Sequence, residues 1–386
     1  MKTRRIFALA LCVLTLISCF SAFSVNATEE ENPVISWFTA GMTVAEAKEI
    51  SPALKSFTRG GNTLEDNEAI ASGDTVVTDN ASYTAWVLGD VSKNGNVDQY
   101  SYILIKRHCF DTYTLDDQEF FSADIDKNGR VDQYDYILAS RIYFKTFELK
   151  KPKNSDGVPV LLYHHILPDE YKNTDNWRGN DITIATSEFR RHLQMLADGG
   201  YNVVTADEVV AYVRGEILLP DKSIMLCFDD GYRSNTYFAA PILAEFGFKA
   251  TVFAIICGYE NKYVEEFDYF ALQKITPEDL APWEDVIDQQ CHTYANHNHL
   301  PQQSYAQILA DLKTAQSVYK SEFFAYPYGD YADHAVDAVR DAGFEAAFST
   351  VERNAVPGDE IFLIPRYTVL SPMKDSDYLK LIAKAD

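Results

Sequence analysis

The chain has 386 residues, a formal net charge of −23 at pH 7, and 47% hydrophobic and 13% aromatic residues. That length holds two or three domains, at least one with a substantial core. The acidic balance excludes a nucleic-acid binder and a docking face for anionic lipid, which both need basic surface, and it suits cation sites.

The start, MKTRRIFALALCVLTLISCFSAFSVNA, carries Lys2, Arg4 and Arg5, then an apolar stretch and a small-residue exit at residues 25–27. This is the pattern of an export signal over residues 1–27, and it predicts a secreted, extracellular bacterial protein. Leu16, Ile17, Ser18 and Cys19 also resemble a lipoprotein box, so lipid anchoring at Cys19 is the alternative. The apolar run continues past Cys19, which favours cleavage after Ala27. No later stretch is long and apolar enough to span a bilayer. Export permits disulfides, but Cys109, Cys227, Cys257 and Cys291 show no paired C-x-x-C spacing, so neither a disulfide framework nor a cysteine metal site is expected.

Residues 28–88 alternate short apolar runs with turn residues (RGGN, SGDT, TDNASY) and read as a small β-rich module with one helix at TVAEAKEI. An internal repeat follows: GDVSKNGNVDQYSYILIKR from Gly89 recurs as ADIDKNGRVDQYDYILASR from Ala123. Oxygen-bearing residues fall at alternate loop positions, Asp90, Ser92, Asn94, Asp98 and Ser101 in the first copy and Asp124, Asp126, Asn128, Asp132 and Asp135 in the second. Gly95 and Gly129 take the sixth position, where the loop turns sharply, and Asn96 and Arg130 take the seventh, where a main-chain carbonyl serves. Such an oxygen cage suits Ca2+. The duplicated loop–helix resembles a dockerin domain over about residues 89–147, which implies calcium binding and docking to a cohesin-bearing scaffold or surface protein. Ser101 departs from that pattern, offering a hydroxyl where the last ligand is a carboxylate.

Residues 148–156 read as a charged linker. Beyond them strand and helix patterns alternate: VPVLLYHHI, TSEFRRHLQMLADGG, YNVVTADEVVAYVRG with a Thr205/Glu208 capping box, IMLCF, NTYFAAPILAEFG, KATVFAIIC, SYAQILADLKTAQSVYK, FFAYPYG, HAVDAVRDAG and FEAAFST. Repeated β/α units predict an α/β domain over residues 157–386 built on a parallel sheet. Their number favours a distorted (β/α) barrel, with its site at the C-terminal strand ends. Asp229 and Asp230 stand at such an end, before Gly231, and so do Tyr163, His164 and His165. The loop CHTYANHNHLP adds His292, His297 and His299. One aspartate and two imidazoles make a ligand set for Zn2+ or another divalent transition metal. The neighbouring aspartate is then free to take a proton from water, so the two carboxylates have different jobs.

The same residues resemble the polysaccharide deacetylases of carbohydrate esterase family 4 over nearly all of 157–386. In that family a T-F-D-D-G motif supplies a catalytic base and a metal ligand, matching Asp229 and Asp230, with Cys227 where Thr is usual. An H-[ST]-x-x-H motif supplies two histidine ligands. His292 and Thr293 fit, but His297 comes one residue late, leaving His297 or His299 as the second ligand, with His297 preferred. The R-x-P-[YF]-G motif appears as AYPYG, with Ala325 in place of Arg and with Tyr328 implied as the oxyanion amide. Arg366 in IPRYTV is the candidate substitute for the missing Arg. LLYHHI looks like the early acid histidine of permuted, exported members, which implies His164 as general acid and His165 on the opposite strand face.

The resemblance implies hydrolysis of N-acetyl groups on a GlcNAc-containing glycan, such as peptidoglycan, a chitin-like polymer or poly-GlcNAc. An O-acetyl xylan esterase is the near alternative, and an inactive carbohydrate-binding or adhesion component the distant one. His108, His192 and His334 read as surface or core residues. Tyr171 and Trp177 serve equally as sugar-stacking or as locally packed aromatics.

Overall fold

The computed structural model describes residues 32–383, so the expected export signal and Cys19 lie outside the described residues. The first sheet holds β1 (Val34–Thr39), β2 (Ser56–Arg59), β3 (Asn62–Thr63), β4 (Thr75–Val77) and β5 (Ser82–Leu88), in the order β1-β5-β4-β2-β3. β1 runs parallel to β5, and the other pairs are antiparallel. Alternate residues of β5 (Tyr83, Ala85, Val87) turn inward onto Phe38 and Phe57, as a half-buried strand requires. The helix Val44–Ile50 starts at a Thr43/Glu46 capping box and adds Val44 and Ala47 to that core.

In the repeat, the helices Gln99–Cys109 and Gln133–Tyr143 start at Asp98 and Asp132, whose carboxylates accept main-chain N–H groups of the first turn. Leu104, Ile105, Leu138 and Ala139 join the two helices in one small core. Between them lies a third helix, Asp117–Ala123, that the sequence reading did not anticipate; an Asp116/Glu119 capping box starts it inside an acidic, aperiodic run. The 148–156 segment differs from a free linker. Asn154 Nδ2 donates to Ile50 O (3.1 Å), Asn154 Oδ1 accepts from Leu219 N (3.0 Å), and Lys151 pairs with Glu46. Trp37 Nε1 also donates to Gly215 O (3.1 Å), and the Tyr83 hydroxyl to Glu216 (2.7 Å), so the first module is bonded directly to the last.

The last domain contains β6 (Val160–Tyr163), β7 (His165–Leu167), β8 (Thr183–Ala185), β9 (Asn202–Val204), β10 (Ser223–Phe228), β11 (Ala250–Ala254), β12 (Ile287–Cys291), β13 (Phe323–Ala325), β14 (Ala346–Phe348) and β15 (Tyr367–Thr368). The main sheet runs β14-β13-β12-β11-β10-β6-β15, all parallel, with β9 beside the first half of β10; β7 and β8 pair separately. Every residue of β10 is buried, as expected when helices cover the outer face of a curled parallel sheet. The helix Ala206–Arg214 closes the expected Thr205/Glu208 capping box, and Thr186–Gly199 ends at left-handed Gly200 (φ 69°).

Two expectations are corrected, and one strand is added. The sheet curls without closing into a full barrel: among the described residues only an isolated Phe348–Ile364 bridge reaches from β14 toward β15, which is two residues long. VPVLLYHHI is not one strand, because the chain breaks at His164 between β6 and β7. β12, IDQQC, carries no strand signal in the sequence because its polar residues hide the apolar period; Gln290 is accommodated there because its Oε1 accepts Glu322 N (3.0 Å) and Phe323 N (2.9 Å).

Candidate active site

The β10 ladder continues one step past its end, with Asp229 N donating to Tyr163 O at 3.0 Å. Asp230 (φ 71°) and Gly231 (φ 62°) then turn left-handed, a conformation open to Gly and tolerated by Asp. This reversal sends two consecutive carboxylates to different partners. A Cβ on Gly231 would stand 2.6 Å from Ala254 Cβ, so the turn requires glycine. Lys274 Nζ holds the strained peptide by donating to Asp230 O at 2.9 Å.

Asp229 faces Arg366, whose Nη1 and Nη2 donate to its two oxygens at 2.7 and 2.9 Å. Arg366 is 0% exposed and Asp229 3%, and Arg366 Nε is fixed by Ser349 O at 2.9 Å. Burial alone would raise the Asp229 pKa; the Arg366 guanidinium, through its charge and its hydrogen bonds, outweighs it and holds the carboxyl below its ordinary value. Ala325 brings no guanidinium, but its carbonyl accepts His292 Nδ1–H at 2.7 Å, which leaves the lone pair of Nε2 facing inward.

That Nε2 lies 3.2 Å from His297 Nε2, and His297 Nε2 lies 3.1 Å from Asp230 Oδ1. The ligand atoms of Asp230, His292 and His297 all fall within 4.8 Å of one another. Asp230 Oδ1 is buried without a hydrogen-bond partner, and burial pushes His292 down to about 4, keeping it neutral. Two imidazoles and an orphaned carboxylate oxygen fit a divalent cation. His299 is elsewhere, bonded to Asp330 Oδ2 at 2.5 Å and stacked on Tyr328 at 4.3 Å.

The extra residue in the histidine motif is absorbed by Asp311, which the sequence reading missed. Its carboxylate accepts N–H groups of Tyr294 (2.8 Å), Ala295 (3.2 Å) and Asn296 (3.1 Å), curling the loop so that His297 returns to His292. Asp311 sits in the helix Tyr305–Val318, remote in sequence from the motif, and carries no local signal.

His164 stands at the β6–β7 break, where its carbonyl accepts Asn235 Nδ2–H at 2.7 Å. Its Nδ1 is buried without a partner; burial lowers its pKa, and the nearby Asp229 and Asp230 charges oppose that. His165 turns the other way, to Thr183 Oγ1 (3.2 Å) and the Trp177 ring (5.0 Å). Tyr328 is left-handed (φ 60°), and its 57%-exposed ring lies 4.9 Å from that of His297. Trp177 and Tyr171 pack locally, Trp177 Nε1 on Tyr269 O (2.8 Å) and Tyr171 stacked on Tyr269 (3.7 Å). His192 is a core residue stacked on Tyr378 at 4.0 Å. Cys109, Cys227, Cys257 and Cys291 carry free thiols.

A second acidic cluster lies in the repeat, where carboxylate oxygens of Asp124, Asp126 and Asp135 fall within 4.8 Å of one another. Asn128 N–H points at Asp124 (3.0 Å) and Asp126 (3.1 Å), and Arg130 N–H at Asn128 Oδ1 (2.9 Å). Asp132 instead caps its helix through Tyr134 N (2.8 Å). In the first loop Asp90 is fully buried and accepts Ser72 N and Asn94 N, both at 2.8 Å. Ser101 Oγ donates to Ser92 Oγ (3.0 Å), Asn94 Nδ2 to Asp98 (2.7 Å), and Asn96 N to Asn94 Oδ1 (3.0 Å). The two loops therefore share a path and differ in charge.

Residues 218–347 match the family described as polysaccharide deacetylase. Over 225 residues the chain is 24% identical to YxkH of Bacillus subtilis (strain 168), which bears a provisional polysaccharide deacetylase name; the match covers 57% of this chain and 74% of that one. Over 243 residues it is 25% identical to the poly-beta-1,6-N-acetyl-D-glucosamine N-deacetylase of Staphylococcus aureus (strain MRSA252), covering 58% of this chain and 81% of that one. The solved Streptococcus pyogenes deacetylase PplD, in complex with acetate, shares the fold at a TM-score of 0.50 and 23% identity, over 59% of this chain and 99% of that one.

Proposed function

We propose, for a chain whose residues 218–347 match the polysaccharide deacetylase family, that it is a secreted, metal-dependent N-deacetylase of a GlcNAc-containing glycan. One observation carries the reading: adjacent carboxylates are held for different tasks, Asp229 by the Arg366 fork and Asp230 beside His292 and His297. The similarity to an enzyme named for poly-beta-1,6-N-acetyl-D-glucosamine supports the substrate class.

Asp229 accepts the proton of the attacking water, and Arg366 keeps that carboxylate ionised and aimed. A divalent cation such as zinc, when bound by Asp230, His292 and His297, supplies Lewis acidity and makes water a nucleophile near neutral pH. The Tyr328 N–H serves the oxyanion that develops on the acetamide. His164 gives a proton to the leaving amine, and its orphaned buried Nδ1 suits a group that bonds only to substrate. Acetate and the free amine are the products. The 89–147 module, by this reading, binds calcium at Asp124, Asp126 and Asp135 and tethers the enzyme to a cohesin-bearing scaffold or surface.

The test is acetate release by the full chain, supplied with zinc, from N-acetylglucosamine oligomers and from acetylated xylan. Release from the amino-sugar oligomers, abolished in Asp229→Asn and Asp230→Ala, is expected. Release from xylan alone would make the enzyme an esterase. No release, from folded protein that retains no zinc after dialysis, would leave a binding component.

A further inference from the structure

The outer face of β12, the strand that leads to His292, lines a cavity that the proposed chemistry does not use. Its volume is about 370 Å3, with Tyr259, Leu280, Glu284, Asp288, Gln289 and Tyr319 in its wall. That is within the range of small-molecule sites, roughly 300–1,000 Å3. The space exists because the chain between β11 and β12 forms only short turns there, Ile256–Glu260 and Pro277–Leu280, and no long helix packed flat on the sheet. Gln289 stands three residues before His292, so the cavity begins about 10 Å along the strand from the proposed metal ligands, at about 3.3 Å per residue.

Gln289 is 2% exposed, yet neither its Oε1 nor its Nε2 has a hydrogen-bond partner. The Tyr259 hydroxyl makes a loose contact with this amide, in a geometry that satisfies neither Oε1 nor Nε2. The adjacent Gln290 shows the ordinary outcome, with its Oε1 bonded to Glu322 N and Phe323 N and its Nε2 donating to Asp288 at 3.1 Å. A buried amide left open on both atoms is costly and calls for a partner entering from the cavity.

We propose that this cavity binds a pyranose ring of a neutral or amine-bearing glycan through two adjacent hydroxyls. A primary amide offers one acceptor and one donor side by side, and neighbouring ring hydroxyls answer with a donor and an acceptor. The Tyr259 and Tyr319 rings, 5.1 Å apart and inclined at 60°, give an apolar wall for the C–H face of a sugar. Glu284 is the charged side chain of the wall, since the Asp288 carboxylate turns to the opposite strand face with Gln290, and no Lys or Arg lines it. That charge excludes uronate and phosphate and accommodates the amine that deacetylation leaves. The identity of the glycan rests on the proposed function; the cavity chemistry does not.

The experiment uses the full chain with 15N-labelled glutamine side chains, titrated with a β-(1→6)-linked N-acetylglucosamine tetramer, whose 3- and 4-hydroxyls are free. The Gln289 amide pair, assigned by its absence in Gln289→Leu, is expected to shift saturably. The same tetramer after periodate cleavage of its adjacent hydroxyls is expected to need at least tenfold higher concentration. Gln289→Leu leaves acetate release from a short N-acetylated substrate unchanged, since it touches none of the proposed catalytic groups. A wild-type Gln289 pair that does not move, or moves equally with the cleaved tetramer, overturns the proposal whatever the variant does. A chain that releases no acetate but still shifts Gln289 supports the cavity and sinks only the deacetylase reading.

Discussion

Arg366 and Asp229, 137 residues apart in the chain, meet through two parallel hydrogen bonds of 2.7 and 2.9 Å, both partners buried. The guanidinium arrives just before β15, whereas Ala325, at the end of β13, brings only its carbonyl to the site. Its Nε bond to Ser349 O and its position 5.4 Å over the Phe253 ring leave the fork little freedom.

Because the fork aims the carboxylate as well as charging its surroundings, Arg366→Lys is expected to lower kcat about 100-fold with KM little changed. Arg366→Met, which strands Asp229 as a buried charge, is expected to cost about 3–5 kcal/mol of stability. Steady-state kinetics and urea unfolding check both. A lysine variant at the wild-type rate would mean that charge alone matters.

His297 and His299 separate cleanly. His297→Ala is expected to weaken zinc binding at least about 100-fold, more than losing an outer partner would, while His299→Ala keeps its metal. Zinc content after dialysis reads the difference. Equal loss in both variants would overturn the ligand assignment.

The two repeat loops differ in charge at their last position, Ser101 against Asp135, so calcium is expected to act mainly through the second. Calcium at about 100 times its Kd is expected to add about 2.7 kcal/mol to the stability of this module. Asp135→Ala removes most of that gain and Ser101→Ala little, as melting of the full chain with and without calcium would show. Melting indifferent to millimolar calcium would remove the cation from the repeat.

Burial pushes Asp288 up to about 6, above the roughly 3.9 of an exposed aspartate. Between those values the folded chain keeps a proton that the unfolded chain has released, so stability falls as pH rises from about 4 to 6. Asp288→Asn is expected to flatten that slope and to stabilise the protein at neutral pH by on the order of 2 kcal/mol. Thermal midpoints of both proteins across this range test it; parallel curves would show that Asp288 does not carry the slope.

What the sequence determined by itself is what repeats or turns locally. The β/α alternation, the Thr205/Glu208 cap, the duplicated Asp/Asn/Gly loops and the Asp229-Asp230-Gly231 strand end all lie within a few residues of their causes. Periodicities of two and 3.6 and the chemistry of turns act over that distance. Only the tertiary structure decided that His297 rather than His299 joins His292, because the loop is curled by Asp311, more than ten residues further on. It also decided that Arg366 reaches Asp229, that polar β12 is a buried strand, and that the sheet stops short of closure. Each of these rests on a partner far away in the chain, and such a partner leaves no period in the residues around it.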